Sequence, residues 1–144
     1  SLVGSEMCIR DRRTTNEENI AMVVDTVKYM VAQGRRVFVD FEHFFDGYKH
    51  DPNYGVELAK AASAAGADVI VLCDTNGGSL PSDISRVTAD VLARSGVRLG
   101  IHCQDDTSCA VANSIAAVEA GAVHSKRLRR KNWQRRLVRG GCKS

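Results

Sequence analysis

The sequence predicts a parallel α/β fold in which buried strands alternate with helices. Three apolar runs place Val, Ile, Leu and Phe on consecutive positions, which is typical of strands buried on both faces; they lie at 37–41, 69–73 and 97–101. The helical stretches around them end at glycines that recur at roughly 30-residue intervals, the length of one βα unit. Because three strands are too few to close a barrel, we expect a piece of a larger fold.

The composition favours a cytoplasmic globular protein without a membrane partner. Of the 144 residues, 44% are hydrophobic, which is enough for a core, and no apolar run approaches membrane-spanning length. The five cysteines form neither a CxxC pair nor a disulfide framework, so we expect reduced thiols.

The C-terminal segment reverses the charge of the chain. Residues 122–144 hold nine of the 20 Lys and Arg residues and none of the 17 acidic ones. A buried strand is expected after Gly121, yet this segment cannot be buried without several unpaired charges. One interpretation is a basic tail that binds nucleic acid. We favour a reading-frame slip near Gly121, since codons permitted for residues 125–143, read one base later, can spell a string beginning Ala-Asn-Gly-Tyr-Gly-Glu.

The N-terminal residues also look foreign to the fold. Residues 1–12 are similar to a translated transposase adapter used in sequencing libraries, and native sequence is expected to begin near Arg12 or Arg13. We therefore expect an adapter-derived segment at 1–12, a catalytic-domain fragment at 13–121 and a frameshifted basic tail at 122–144.

The first three helices have clear start signals. Thr15 and Glu18 form a capping box, in which each side chain bonds the other residue's backbone N–H. The apolar stripe that follows consists of Ile20, Val23, Val24, Val27, Met30 and Val31. A second helix follows Pro52, and a third begins near Pro81, because proline is tolerated in a first turn.

The fourth helix is expected to run from about Thr107. Val111, Ile115 and Val118 recur at helical spacing and predict its inward face.

Polar side chains follow each predicted strand at the point where it ends. Glu42 follows the first strand, Thr75 the second, and His102 with Gln104 the third. Asp40 lies two residues before Glu42, so these two carboxylates share one face. Parallel α/β enzymes assemble their active sites at this edge of the sheet, and the pattern therefore indicates an enzyme.

Three strings carry a specific family resemblance. They are Glu-His-Phe-Phe-Asp-Gly at 42–47, Asp-Thr-Asn-Gly-Gly at 74–78 and Cys-Ala-Val-Ala-Asn-Ser at 109–114. The chain resembles the citramalate synthases over roughly 13–121. These enzymes belong with the 2-isopropylmalate and homocitrate synthases, a group of metal-dependent (β/α)₈-barrel acyltransferases. The resemblance implies a partial (β/α)₈ TIM barrel of about three central βα units.

The resemblance also implies a reaction and its cofactors. Acetyl-CoA would condense with an α-keto acid, pyruvate for citramalate, on the path to branched-chain amino acids. A divalent metal (Mg, Mn or Zn) would chelate the keto acid. The full-length family member is expected to be a homodimer that binds no nucleic acid. Because the early strands with further site residues lie outside this chain, we expect the fragment itself neither to fold stably alone nor to catalyse.

The resemblance assigns roles to five residues of this sequence. His102 matches the first histidine of a His-x-His metal motif, and Gln104 stands where the second histidine is expected. Glu42 matches a strand-end acid that hydrogen-bonds substrate or helps proton transfer, and Asp40 supports it. Thr75 matches the threonine that binds the keto acid's carboxylate.

Structural alternatives exist for each assignment. His102 can be an ordinary core histidine, Thr75 a capping hydroxyl and Glu42 a solvated loop carboxylate. Cys73 and Cys103 are interpreted as packing residues, since no base is paired with them by spacing. A flavodoxin-like binding domain would need a phosphate-binding glycine loop after the first strand, and residues 42–45 do not provide one.

Overall fold

A computed structural model describes residues 15–126 of the chain, which form a parallel sheet covered by helices. The elements in chain order are α1 (Asn16–Ala32), β1 (Phe38–Phe41), α2 (Phe44–His50), α3 (Pro52–Ala64), β2 (Val69–Asp74), α4 (Pro81–Ser95), β3 (Leu99–Cys103), α5 (Ala110–Glu119) and β4 (His124–Ser125). The expected adapter-derived segment at 1–12 lies outside the described residues, as does the basic tail beyond residue 126.

The strands pair in chain order, β1-β2-β3-β4, and all are parallel. Sequential parallel strands joined by helices are the repeating arrangement of a (β/α)₈ barrel, so the expectation of a partial barrel with three βα units is confirmed. None of the helices within 15–126 is long and apolar enough to cross a membrane.

A short strand, β4, follows Gly121, where the repeating βα unit predicts one. His124 and Ser125 pair with Gly100 and Ile101 of β3. The backbone N–H of Val123 donates to the carbonyl of Leu99 (2.8 Å), and this continues the ladder. Two residues are short enough to pair before the charged run begins, so the argument from buried charge does not apply to them.

The predicted helix starts are confirmed for α1, α3 and α4. Both hydrogen bonds of the Thr15–Glu18 capping box are present. Pro52 and Pro81 occupy the first turns of α3 and α4. Helix α2 was not predicted, because its seven residues are too few to show a helical period.

Two predicted helix faces were wrong in whole or in part. Val111, Ile115 and Val118 of α5 are 67%, 54% and 50% exposed, and the helix begins at Ala110 rather than near Thr107. Its buried residues are Ala110, Asn113 and Ala117. Small side chains allow α5 to approach α4 and β3 closely, and that packing outweighs the apolar stripe. In α1, Val23 and Val27 are buried, but Met30 and Val31 are 41% and 39% exposed.

The two faces of the sheet carry different side chains. The helix-covered face contributes to the main core, through Val39, Phe41, Ile70, Leu72, Leu99 and Ile101. Val69, Val71 and Cys73 form a separate cluster on the opposite face, with Phe38 packed against it. Asp40 is two residues from Phe38, and His102 pairs with Cys73, so both polar side chains belong to this second face.

Candidate active site

Glu42 and Thr75 meet just beyond the carboxyl ends of β1 and β2. The Thr75 hydroxyl donates to Oε2 of Glu42 at 2.7 Å. It also accepts a hydrogen bond from the backbone N–H of His43 at 2.7 Å. The single hydroxyl proton of Thr75 is therefore used in the hydrogen bond to Glu42. The two side chains, 33 residues apart in sequence, form one polar unit.

His43 makes the sharp turn that creates this unit. Its backbone has φ 55° and ψ 27°, the left-handed conformation that non-glycine residues rarely adopt. This turn leads β1 directly into α2 and aims the His43 N–H at Thr75. Strained backbone of this kind concentrates at functional sites. On its other side, Nδ1 of His43 lies 3.9 Å from a carboxylate oxygen of Asp46.

Asp40 is buried one pleat before Glu42. One of its carboxylate oxygens pairs with the Nζ of Lys126, and the other is buried with no hydrogen-bond partner among the described residues. Lys126 falls in the segment that the sequence predicts to be frameshifted. The structure thus places Asp40 on the same sheet face as His102, where it carries an incompletely paired carboxylate.

His102 and Gln104 differ in their surroundings. The Nδ1 atom of His102 is buried and has no hydrogen-bond partner within residues 15–126. Gln104 lies past the end of β3 and its side chain is exposed. An unpartnered imidazole nitrogen fits a metal ligand, and an amide oxygen is a weaker one.

The described residues do not form a metal site by themselves. They contain no group of three or more His, Cys, Asp or Glu side chains that could hold a metal ion. The remaining ligands would have to come from outside these residues. His102 and Gln104 are therefore compatible with a shared site but do not form a complete one.

Asp74 ends β2 but does not face Glu42 and Thr75. Its carboxylate is buried and accepts two hydrogen bonds from Ser79, from the backbone N–H at 3.2 Å and from the hydroxyl at 3.1 Å. The side chain amide of Asn113 donates to the carbonyl of Ser79 at 2.8 Å. Sequence reasoning missed Ser79 and Asn113. The only signal in the sequence was that Ser79 follows a glycine-rich string and that Asn113 is a polar residue within an apolar one.

The two buried thiols are not poised as nucleophiles. Burial raises the pKa of Cys103 to about 12. Burial also raises the pKa of Cys73, and the nearby carboxylates of Glu42 and Asp40 add to that effect. A thiolate is the reactive form of cysteine, so both side chains act as packing groups, as the sequence predicts.

Comparison with known proteins adds family information to this geometry. Residues 4–125 match the family model described as HMGL-like. The chain is 66% identical over 112 residues to the (R)-citramalate synthase of Streptomyces coelicolor, a match that covers 78% of this chain and 21% of that protein. It is 49% identical over 111 residues to the (R)-citramalate synthase of Aquifex aeolicus, with 76% and 21% covered.

A second group of relatives is more distant. The "Probable 2-isopropylmalate synthase" of Methanosarcina acetivorans is 36% identical over 110 residues, covering 76% of this chain and 21% of that protein. The chain thus spans about a fifth of the length of the curated relatives it matches.

Solved structures share the fold at low sequence identity. The carboxyl transferase domain of Rhizobium etli pyruvate carboxylase, solved with pyruvate and biocytin, matches with a TM-score of 0.56 and 20% identity. That match covers 71% of this chain and 18% of the other. The complete enzyme from the same organism matches with a TM-score of 0.57 and 20% identity, covering 71% and 10%. Identities this low show a shared architecture alone.

Proposed function

This chain belongs to the HMGL-like family, and from that premise we propose that it is a segment of an acyltransferase that condenses acetyl-CoA with pyruvate to form citramalate. The observation that carries the proposal is the gradient of identity among relatives. Five (R)-citramalate synthases match at 47–66% identity, whereas three probable 2-isopropylmalate synthases match at 36–38%.

The proposed reaction joins the methyl carbon of acetyl-CoA to the carbonyl carbon of pyruvate. A base removes a methyl proton, the carbon–carbon bond forms, and the pyruvate carbonyl becomes a tertiary alcohol. Water then cleaves the thioester and releases CoA. A bound divalent metal (Mg, Mn or Zn) supplies Lewis-acid polarisation of the keto acid's carbonyl. From this chain, His102 and Gln104 are the residues that would hold it.

Glu42 and Thr75 are proposed to act on the substrate as a pair. Thr75 binds the keto acid's carboxylate through its hydroxyl, and Glu42 accepts or passes on a proton. A substrate carboxylate at Thr75 competes with Glu42 for the one hydroxyl proton, which the two share at 2.7 Å. Substrate binding would therefore free an oxygen of Glu42 to accept a proton. Asp40 supports Glu42 by adding negative charge on the same face.

The cellular setting follows from the proposed activity. Citramalate formation belongs to branched-chain amino acid biosynthesis, isoleucine in particular, and we place the whole protein in the cytoplasm as a homodimer. The 2-isopropylmalate and homocitrate synthases, and related acyl-CoA lyases, are the alternatives within the family. We expect the 144-residue chain by itself to be inactive.

Release of CoA by the full-length polypeptide tests the proposal. With acetyl-CoA, we expect kcat/KM for pyruvate to exceed that for the branched keto acid of 2-isopropylmalate formation by at least about tenfold, a factor within reach of a pocket that distinguishes a methyl from an isopropyl group. A preference for the branched substrate, or no release of CoA with either, would reject citramalate formation.

Substitutions separate the site residues from ordinary core residues. His102→Leu should lower metal-dependent kcat/KM by about 100-fold, and Thr75→Val should mainly raise KM for pyruvate. Thr88→Val is the matched control, because it removes a buried hydroxyl of α4 that has no partner among the described residues. If the control loses as much activity as His102→Leu, the role of His102 is structural.

A further inference from the structure

We propose that Asn113 is a positioning residue, which couples the loop after β2 (residues 75–79) to the loop after β3 (residues 104–108). Its consequence for catalysis rests on the proposed function, because these loops carry Thr75 and Gln104. The coupling itself is a property of the fold and can be measured separately.

A hydrogen bond from helix α5 holds the loop after β2 directly. Asn113 is completely buried, and its side chain amide donates to the carbonyl of Ser79 at 2.8 Å. Ser79 is also buried, and its backbone N–H and hydroxyl both bond the carboxylate of Asp74. One amide group therefore anchors the end of the loop to the helix, while the carboxylate holds the same residue to the end of β2.

The same strand end holds the second loop. The carbonyl of Asp74 accepts from the backbone N–H of Gly77 at 3.1 Å and from that of Gln104 at 3.2 Å. The N–H of Thr107 donates to the carbonyl of Gly77 at 3.2 Å. The two loops thus bond each other and share one acceptor, so a shift of Ser79 is passed to both.

In the side chain amide of Asn113, only the N–H group makes a hydrogen bond among the described residues. Its Oδ1 atom is buried and has no hydrogen-bond partner in the part of the chain that the structure describes. A buried unpaired acceptor costs free energy, and a plain packing residue such as Ala at this position would avoid that cost. The N–H group explains why an amide stands at this position. It donates to the buried carbonyl of Ser79, which would lose this hydrogen bond if the side chain were apolar.

The geometry makes Asn113 a positioning residue rather than a catalytic one. It touches Ser79, not Glu42 or Thr75. Thr75 lies two residues before Gly77, in the loop whose far end Asn113 anchors. Since Thr75 reaches Glu42 at 2.7 Å, small displacements of this loop change the pair proposed to bind the keto acid.

Hydrogen exchange on the full-length polypeptide tests the coupling. In Asn113→Leu, which keeps the branched shape of the side chain but removes the donor, the amides of Gly77, Ser79 and Gln104 should exchange about fivefold to tenfold faster, as expected for one lost buried hydrogen bond. Thr88→Val is the matched control: it alters a buried polar side chain of α4 and should leave these amides unchanged.

A second variant covers the case in which Asn113→Leu does not fold. Ser79→Ala removes one of the two bonds to the Asp74 carboxylate and keeps the carbonyl that Asn113 binds. It should accelerate exchange in both loops by a smaller factor. If exchange in the 104–108 loop stays at its wild-type rate in every folded variant, the coupling is overturned.

Kinetics then connect the coupling to the site. At a temperature where the variant remains folded, Asn113→Leu should raise KM for pyruvate severalfold and leave KM for acetyl-CoA unchanged. An equal rise in both KM values would overturn the positioning role. If both loops exchange faster in Asn113→Leu than in the wild-type protein, and the wild-type protein turns over no keto acid, the proposed function is rejected and the coupling is still supported.

Discussion

The two ends of the sheet differ in how completely their charged and polar side chains are paired. At the amino ends of the strands, Asp68 lies between Arg36 and Arg98, and each carboxylate oxygen has its own guanidinium partner. At the carboxyl ends, one oxygen of Asp40 and Nδ1 of His102 are buried without partners among the described residues. The same strands thus carry paired charges at one end and unpaired polar atoms at the other.

This difference assigns the amino ends of the strands to stability and the carboxyl ends of the same strands to chemistry. Exposed ion pairs such as those of Asp68 make small favourable contributions. Unpaired buried polar atoms cost free energy, and at an active site a ligand or substrate can supply the missing partner. Active sites of (β/α)₈ barrels lie at the carboxyl ends of their strands, and the unpaired atoms of Asp40 and His102 lie at that end.

At neutral pH, the largest expected effect on stability is at Gly77, at the carboxyl end. Its φ is +63°, and an added Cβ would lie 2.9 Å from the backbone N of Asp106 and 3.0 Å from the backbone carbon of Gln104. Gly77→Ala should lower the free energy of unfolding by about 2–3 kcal/mol and lower kcat/KM by about tenfold or more. Gly78→Ala is the control, because nothing lies within 4 Å of its added Cβ.

Thermal unfolding and CoA release measured on both glycine variants decide this prediction. Similar losses in the two variants would contradict it, since the loop would then be sensitive to any substitution rather than to this close approach.

A smaller effect is expected at the amino end. Asp68→Asn removes two ion pairs and should lower the free energy of unfolding by about 1 kcal/mol, because both arginines are more than half exposed. KM and kcat should not change. The loss should shrink in 1 M salt, where charges are screened.

Asp83→Asn is the control for Asp68→Asn. It breaks one pair within helix α4, with Arg86 at 3.5 Å, and should cost less. A change in kcat/KM of Asp68→Asn at unchanged thermal stability would break the proposed division between the two ends.

The smallest effect at neutral pH concerns the buried thiol of Cys103, whose contribution changes only at high pH. Its pKa is raised to about 12 in the folded protein, whereas a free thiol ionises near pH 8.5. As the pH rises above that value, the unfolded chain loses a proton that the folded chain keeps, so stability falls between about pH 9 and pH 12. Cys103→Ala should make the melting temperature less steeply dependent on pH in this range. An unchanged slope would show that Cys103 does not contribute.

Sequence reasoning succeeded where the signal is local. The Thr15–Glu18 capping box, Pro52, Pro81 and the apolar runs located most elements, because each signal depends on neighbouring residues. It failed for α5, where Val111 and its stripe predicted an inward face that is exposed. A helical stripe shows that one face is apolar, but only packing against α4 and β3 decides which face is buried.

The site was predictable in outline and not in its connections. Strand-end positions placed Glu42 and Thr75 near each other, and the structure joins them at 2.7 Å; their roles in catalysis remain predictions. Ser79 and Asn113, whose hydrogen bond joins a loop to a helix, were missed, because neither residue lies directly at a strand end. No local pattern distinguishes such a buried amide from an ordinary helical asparagine.

The sequence by itself determined the parallel α/β class, the order of its elements apart from α2, and the positions of the polar strand ends. Caps, prolines and apolar runs act through the few residues beside them. Only the tertiary structure decided which helix faces are buried, that His43 turns in the left-handed region, and which polar atoms have no partner. Those outcomes depend on contacts between residues far apart in the chain, where burial and hydrogen bonding compete.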